Sequence, residues 1–232
     1  MALSIVMPTF NEKEIVEKVV REYCVRIISK IPDSEFIIID SSNDGTYEVL
    51  EKLRNECPGI KLMRTPYRSG HGRAILAGYR AASGEYVFQT DSDDQFDPED
   101  FWKLYALREG NDFVLGVREN RHDPLHRLIL TRVIRFVNCL IFGIWIRDAN
   151  CPFRLMRRDV MSKFLGLIQG DMIAPNIALS IAAFSEGIRI AEVPVNHAER
   201  KTGEVSIVKW KLIKAAWTGF RQLIAFRFVG TR

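Results

Sequence analysis

Glu85-Tyr86-Val87-Phe88-Gln89-Thr90-Asp91-Ser92-Asp93-Asp94-Gln95-Phe96-Asp97-Pro98-Glu99 holds a strand, an acidic turn and a helix start in fifteen residues. Glu85 to Gln89 is apolar and β-prone, which predicts a strand. Asp97-Pro98-Glu99 predicts a helix start, with a cap, a proline at the first position and then an acid. Between them, Asp91, Asp93 and Asp94 set three carboxylates in four residues. Such charges repel one another unless a cation or a capping role offsets them. Residues two apart at a strand end project the same way, so Asp91, Asp93 and Gln95 can converge as hard oxygen ligands. That set suits Mg²⁺ or Mn²⁺ bridging two phosphates of a nucleotide. The competing reading is a solvated acidic loop ahead of the helix that Asp97 caps.

The flanking sequence repeats the strand-helix alternation. Strands are predicted at Leu3 to Met7, Glu35 to Ile39, Ile60 to Met63, Asp112 to Gly116 and near Ile188 to Val193. Helices are predicted from a cap at Asn11 to about Ser29, and from a cap at Asp44 to about Asn55. A third follows the glycine-bearing turn Ser69 to Gly72 and runs to Ala82, and a later one begins at Ala174. Strands without period-two alternation, separated by helices, imply a mostly parallel α/β sheet covered on both faces. Ligands of such sheets bind at the carboxyl ends of the strands. Pro8 to Glu12, Asp40, Asp91 to Gln95 and Arg118 are thereby placed on one rim.

Bulk properties narrow the class. The 232 residues suit one large domain, with 47% hydrophobic and 27% charged residues. A formal net charge of +4 does not suggest a nucleic-acid binder. Cys24, Cys57, Cys139 and Cys151 lie far apart without C-x-x-C spacing, so neither a zinc site nor a disulfide framework is expected. The first residues run into an apolar strand without a basic leader, so no signal peptide is expected. The most apolar stretch, Leu128 to Ile146, is interrupted by Arg132 and Arg135 and is not a transmembrane candidate.

The motifs also fit a known pattern. Pro8-Thr9-Phe10-Asn11-Glu12 matches P-T-[YF]-N-E, and Ile39-Asp40-Ser41-Ser42-Asn43-Asp44-Gly45-Thr46 matches D-D-G-S-x-D-G-T. Arg68 to Ala74, with Ala82-Ser83-Gly84-Glu85-Tyr86, matches a glycine-bearing loop and the approach to the next strand. Asp91 to Gln95 matches D-x-D-x-Q, and Gly116-Val117-Arg118 matches G-x-R. Asp148 to Arg154 is similar to D-x-x-x-G-F-R. Val193-Pro194-Val195, Arg200 and Gly203-Glu204-Val205-Ser206 are similar to a late acceptor loop. In this order over nearly the whole chain, the motifs resemble glycosyltransferase family 2, and within it the dolichyl-phosphate mannose synthase group of polyprenyl-phosphate glycosyltransferases. Ile39, Ser41, Cys151-Pro152 and Ile207 depart from that pattern.

The resemblance implies a GT-A-type fold over residues 1–206 and an inverting transfer. The donor would be a GDP- or UDP-linked sugar of mannose or glucose type, and the acceptor a polyprenyl phosphate. Pro8, Phe10, Glu12, Asp40 and Asp91 would bind the nucleotide, while Asp91, Asp93 and Gln95 would hold the metal and the diphosphate. A phosphate acceptor is already anionic and needs positioning more than a base. Arg118, Arg132 and Arg200 are therefore expected to clamp it with bidentate forks, beside Ser206 in the acceptor loop. His197, beside Arg200, has an incidental reading as well as an acceptor one. A hydroxyl acceptor would need a general base instead and is the alternative. The Q-x-x-R-W of processive synthases is absent, as are the G-x-G-x-R-L start of sugar nucleotidyltransferases and the G-x-G-x-x-G of a dehydrogenase.

Residues 207–232 form the last expectation. From Val205 onward there are six basic residues and no acidic one. At helical spacing, Lys211, Lys214 and Arg221 fall on one face, and Leu212, Trp217, Phe220 and Ile224 on the other. A basic amphipathic helix of this kind suits a membrane surface; packing on the domain is the competing reading. Together these features predict a peripheral protein on the cytoplasmic membrane face. A membrane-anchored partner subunit is a further expectation.

Overall fold

The computed structural model describes residues 2–67, 70–119, 139–140, 143–168, 170, 172–199, 218–219 and 221–222. Its elements are β1 (Leu3–Thr9), α1 (Val16–Arg26), β2 (Glu35–Asp40), α2 (Thr46–Glu56), β3 (Ile60–Arg64), α3 (His71–Ala81) and β4 (Tyr86–Gln89). They continue as α4 (Phe101–Ala106), β5 (Phe113–Glu119), β6 (Arg154–Arg157), α5 (Arg158–Leu165), α6 (Pro175–Ser185) and β7 (Ile190–Asn196). The strands form one sheet in the order β3-β2-β1-β4-β6-β5-β7. β1 pairs parallel with β2 and β4, β2 with β3, and β5 with β7, whereas β6 runs antiparallel between β4 and β5.

Helices cover both faces, as alternation in β2 makes plain. Phe36 and Ile39 are three apart and so point opposite ways. The Phe36 ring meets Tyr23 of α1 at 6.1 Å. Ile39 packs on α3 at Gly78, where an added Cβ would come within 2.6 Å of Ile39 Cδ1. Only a glycine lets α3 approach β1 and β2 this closely. An aspartate at position 39 would be buried against that helix, which suits the isoleucine found there. The core continues through Phe88, whose ring is edge-on to Phe101 at 4.9 Å and to Phe153 at 4.8 Å. Buried aromatic pairs of this geometry add about 0.5–1.5 kcal/mol beyond their area.

Two local expectations are corrected. Asn11 does not cap α1, which starts at Val16. Asn11 instead adopts φ +53°, and its Oδ1 accepts the Asn43 N–H at 3.1 Å, tying the turn after β1 to the turn after β2. Asn is among the few residues that tolerate this conformation. β6 was not expected either. Its first residue, Arg154, is fully buried in the core, where a charged residue is rarely found. The cap at Asp97 is as expected, its side chain accepting the Glu99 N–H at 2.9 Å with Pro98 next in the chain.

Candidate functional site

β1 and β2 end together, with Thr9 opposite Asp40. Asp40 is fully buried. Its Oδ1 accepts hydroxyls from Thr9 at 2.8 Å and Ser42 at 2.6 Å, and Oδ2 accepts the Ser42 N–H at 3.2 Å. Ser42 Oγ in turn accepts the Asn11 N–H at 2.8 Å. The Glu12 N–H donates to Thr46 Oγ1 at 3.0 Å, and the Glu12 side chain is buried in the same corner. Asp40 and Glu12, expected around a nucleoside, thus both lie where β1 and β2 end, and Asp40 holds the two turns from beneath.

Phe10 and Tyr67 form the flat element of this corner, their rings stacked at 5.8 Å and 29°. Tyr67 was missed in the sequence. The signal available was its position just past β3, on the same carboxyl-end rim.

The turn after β4 is fastened to β1. The Thr90 N–H donates to Val6 O at 3.1 Å, and Ser92 Oγ donates to Pro8 O at 3.1 Å. The three acids have different partners. Asp94, at φ +58°, turns toward α1, where Lys18 Nζ meets its Oδ2 at 2.6 Å. Asp93 Oδ1 accepts the Gln95 N–H at 3.4 Å. Asp91 Oδ1 is buried without a hydrogen-bond partner, and His71 Nε2 at the start of α3 is 3.8 Å from it. Gln95 Nε2 donates to Ala198 O at 2.9 Å, which leaves the carboxamide oxygen as the accepting end.

These donors fit a small divalent cation. A buried carboxylate oxygen without a proton donor is stabilised by a positive ion, and a second carboxylate and a carboxamide oxygen are within the same turn. Among the described residues, no three His, Cys, Asp or Glu side chains converge as a complete cage. That also fits, since Mg²⁺-like ions commonly bind one or two carboxylates and complete their shell with substrate phosphates and water.

On the other side of the turn, Arg118 is engaged within the protein. Its Nε is 2.7 Å from Asp148 Oδ2 and its Nη2 is 2.9 Å from Asp148 Oδ1, a bidentate pair with Asp148 buried. Arg154 Nε donates to Cys151 O at 2.8 Å, Nη1 to Asn176 O at 3.0 Å, and Nη2 to Ala149 O at 3.0 Å. The Asp148 to Arg154 segment is therefore pinned to α6 beneath the rim. Phe153 lies against Phe96 of the acidic turn at 5.1 Å. Burial pushes the Cys24 and Cys151 thiols up to about 12, so neither is a thiolate nucleophile near neutral pH. His197 is buried, with its ring edge-on to Phe96 at 5.0 Å.

Arg132, Arg200, Ser206 and most of the basic tail lie outside the described residues. Of the tail, Thr218, Gly219, Arg221 and Gln222 are helical, and Gln222 Oε1 accepts the Ile173 N–H at 3.0 Å. Among the described residues, no helix is long and apolar enough to cross a membrane.

Comparison with known proteins agrees with this arrangement. A family model described as Glycosyl transferase family 2 matches residues 4–165. The undecaprenyl-phosphate 4-deoxy-4-formamido-L-arabinose transferase of Salmonella choleraesuis (strain SC-B67) is 30% identical over 214 residues, covering 91% of this chain. The chain spans 64% of that relative's length. The glucosyl-3-phosphoglycerate synthase of Mycobacterium tuberculosis, solved with Mn²⁺, uridine diphosphate and phosphoglyceric acid, superposes with a TM-score of 0.70. It is 19% identical, with 97% of this chain and 78% of that chain covered. TarS of S. aureus, residues 1–349, gives a TM-score of 0.60 at 18% identity, with 83% and 58% covered. At these identities the likeness establishes the fold, which is of the GT-A type.

Proposed function

The chain belongs to glycosyltransferase family 2, and from that premise we propose that it moves a sugar from a nucleoside-diphosphate donor to a polyprenyl phosphate, inverting the anomeric centre. The observation that carries this reading is the buried Asp91 Oδ1, without a hydrogen-bond partner, in one turn with Asp93 and Gln95 and on the same rim as the Phe10–Tyr67 pair. Phe10 and Tyr67 hold the base by stacking, and Glu12 accepts from the nucleoside. Asp40 keeps that corner in shape through Thr9 and Ser42. Asp91, Asp93 and Gln95 hold the metal and the diphosphate. Bound there, Mg²⁺ or Mn²⁺ supplies a Lewis acid that neutralises the charge gathering on the leaving diphosphate. The acceptor phosphate attacks without a base, because it is already ionised near neutral pH. Arg132 and Arg200 position it, with Ser206, and the Arg118–Asp148 pair lies at the same rim. The basic tail brings the site to an anionic membrane surface.

The relative's name supports a lipid-phosphate acceptor. The sugar is of mannose or glucose type by motif resemblance, and the donor base is guanine or uracil. A hydroxyl acceptor is the second reading, favoured by one observation: the Arg118 fork already faces Asp148. The deciding experiment incubates the protein with UDP- and GDP-sugars, Mn²⁺ and either polyprenyl phosphate or small hydroxyl acceptors, followed by mass spectrometry. A lipid-linked product that mild acid releases as free sugar is expected. Glycosylation of a hydroxyl acceptor alone overturns the lipid assignment.

A further inference from the structure

Gln95 is held to the far end of β7 by a reciprocal pair of hydrogen bonds. Its side-chain Nε2 donates to Ala198 O at 2.9 Å, and its main-chain oxygen accepts the Ala198 N–H at 2.8 Å. Two further contacts complete the junction. Phe96 and His197 form an isolated antiparallel bridge and stack edge-to-face at 5.0 Å. The Asn196 N–H donates to Asp100 Oδ2 at 2.7 Å, and Asp100 is itself buried and paired with Lys103 at 2.6 Å. Residues 95–100 thus carry the carboxyl end of β7 as one unit. The acidic turn is joined in this way to a strand more than ninety residues later in the chain.

We infer that Gln95 is a positioning residue that couples donor binding to the β7 end through the two ends of one carboxamide. This rests on the proposed metal and diphosphate role of the same turn. A cation drawing on Oε1 withdraws electron density from the amide, making Nε2–H a stronger donor to Ala198 O. Fixing Oε1 on a ligand also removes rotamer freedom from the side chain, so that Nε2 stays on Ala198. Both effects tighten residues 196–198 when donor binds. By linkage, whatever stabilises those residues tightens donor binding by the same factor. Glutamate at position 95 separates the two roles: it keeps an oxygen for the cation and has no proton to give to Ala198.

The test is amide exchange at Ala198 in the full chain, wild type and Gln95→Glu. It is read without ligand and with Mn²⁺ plus UDP or GDP, while Mn²⁺ binding is followed separately by electron paramagnetic resonance. The wild type is expected to exchange at Ala198 several-fold more slowly with Mn²⁺ and the nucleotide that binds. Gln95→Glu should still bind Mn²⁺, exchange several-fold faster than wild type without ligand, and lose the ligand-induced slowing. Its acceptor KM should rise more than its donor KM. Gln95→Ala serves as a second variant and should also lose the slowing. If wild type binds no Mn²⁺ with either nucleotide, the proposed function falls, and the coupling with it. If binding is intact and Ala198 exchange ignores ligand or the change at position 95, the coupling alone is overturned.

Discussion

Lys18 Nζ lies 2.6 Å from Asp94 Oδ2, so the third acid of the turn after β4 is directed to α1 and away from Asp91. The pair gives Asp94 a structural task distinct from that of its neighbours. Lys18 is 55% exposed on its side chain, and an ion pair so placed contributes no more than about 1 kcal/mol. Lys18→Ala should therefore shift Tm by at most about 4 °C and leave turnover measurable. Asp93→Ala should abolish turnover with an unchanged circular dichroism spectrum. Equal losses from the two variants would assign the whole turn one role.

Asp91 should show a trade between stability and binding. Its Oδ1 is buried without a donor and shares a short turn with two other acids. Asp91→Asn removes that repulsion, and with it the charge that a cation needs. Thermal unfolding in chelator is expected to rise by about 2–4 °C, an increment near 1 kcal/mol. Mn²⁺-dependent nucleotide binding should vanish. An unchanged response of nucleotide affinity to chelator would remove Asp91 from the metal site.

Tyr67 should matter to binding and little to folding. It is 46% exposed and stacks on Phe10. Tyr67→Ala should weaken nucleoside diphosphate binding by about 1 kcal/mol, the scale of one aromatic pairing. Titration calorimetry against ribose 5-phosphate and the full nucleotide checks this, since only the nucleotide carries a base to stack.

The Arg118–Asp148 pair separates structure from acceptor recognition. Arg118→Ala removes the bidentate guanidinium from a buried carboxylate and should lower stability in denaturant unfolding. Replacing both partners, Arg118→Met with Asp148→Leu, should recover most of that stability. If the arginine also touches the acceptor phosphate, the double variant stays inactive in transfer while donor binding persists. Recovery of transfer with recovery of stability would make the pair structural alone.

Glu35 sets an acid limit on stability. Burial pushes its carboxyl up, but Lys61 at 2.5 Å and hydrogen bonds from Ser4 and Ser83 together outweigh burial and hold it at about 2. A carboxyl lowered on folding stabilises fully above its unfolded value and loses that contribution as pH falls through the folded one. The window here runs from about 4.5 to about 2. At about 1.4 kcal/mol per unit, the contribution is at most about 3.5 kcal/mol. Glu35→Gln should lower stability at neutral pH and flatten its fall across that window, read by urea unfolding at stepped pH.

Much of this fold was legible because it follows periodicity. The strands at Leu3 and Glu35 are predominantly apolar and wholly buried, as interior parallel strands must be, whereas the edge strand at Ile60 exposes Lys61 and Arg64. The acidic turn was legible because repulsion among three carboxylates demands a reason. Where the reading failed, tertiary contacts overrode local preference. Asn11 looked like a cap, yet its side chain serves a turn thirty-two residues away. β6 was invisible because Arg154 opens it, and that guanidinium is satisfied by carbonyls from Ala149, Cys151 and Asn176 and by the Ser180 hydroxyl, brought together by folding. Tyr67 carries no motif, and only the topology sets it beside Phe10.

The reversed direction of β6 has a consequence for how this architecture diversifies. β6 and its neighbour β5 are antiparallel, with Leu115 opposite Arg154, so Glu119 and Arg154 are ends of adjacent strands. An excursion between two such fixed posts lengthens cheaply: doubling it adds only about 0.6 kcal/mol of closure entropy. Both posts stand at the working rim and away from β1 and β2, which shape the corner held by Asp40. Replacement of residues 120–145, ahead of the packed stretch that opens at Ile146 and carries Phe153 onto the acidic turn, would therefore leave the corner held by Asp40 intact.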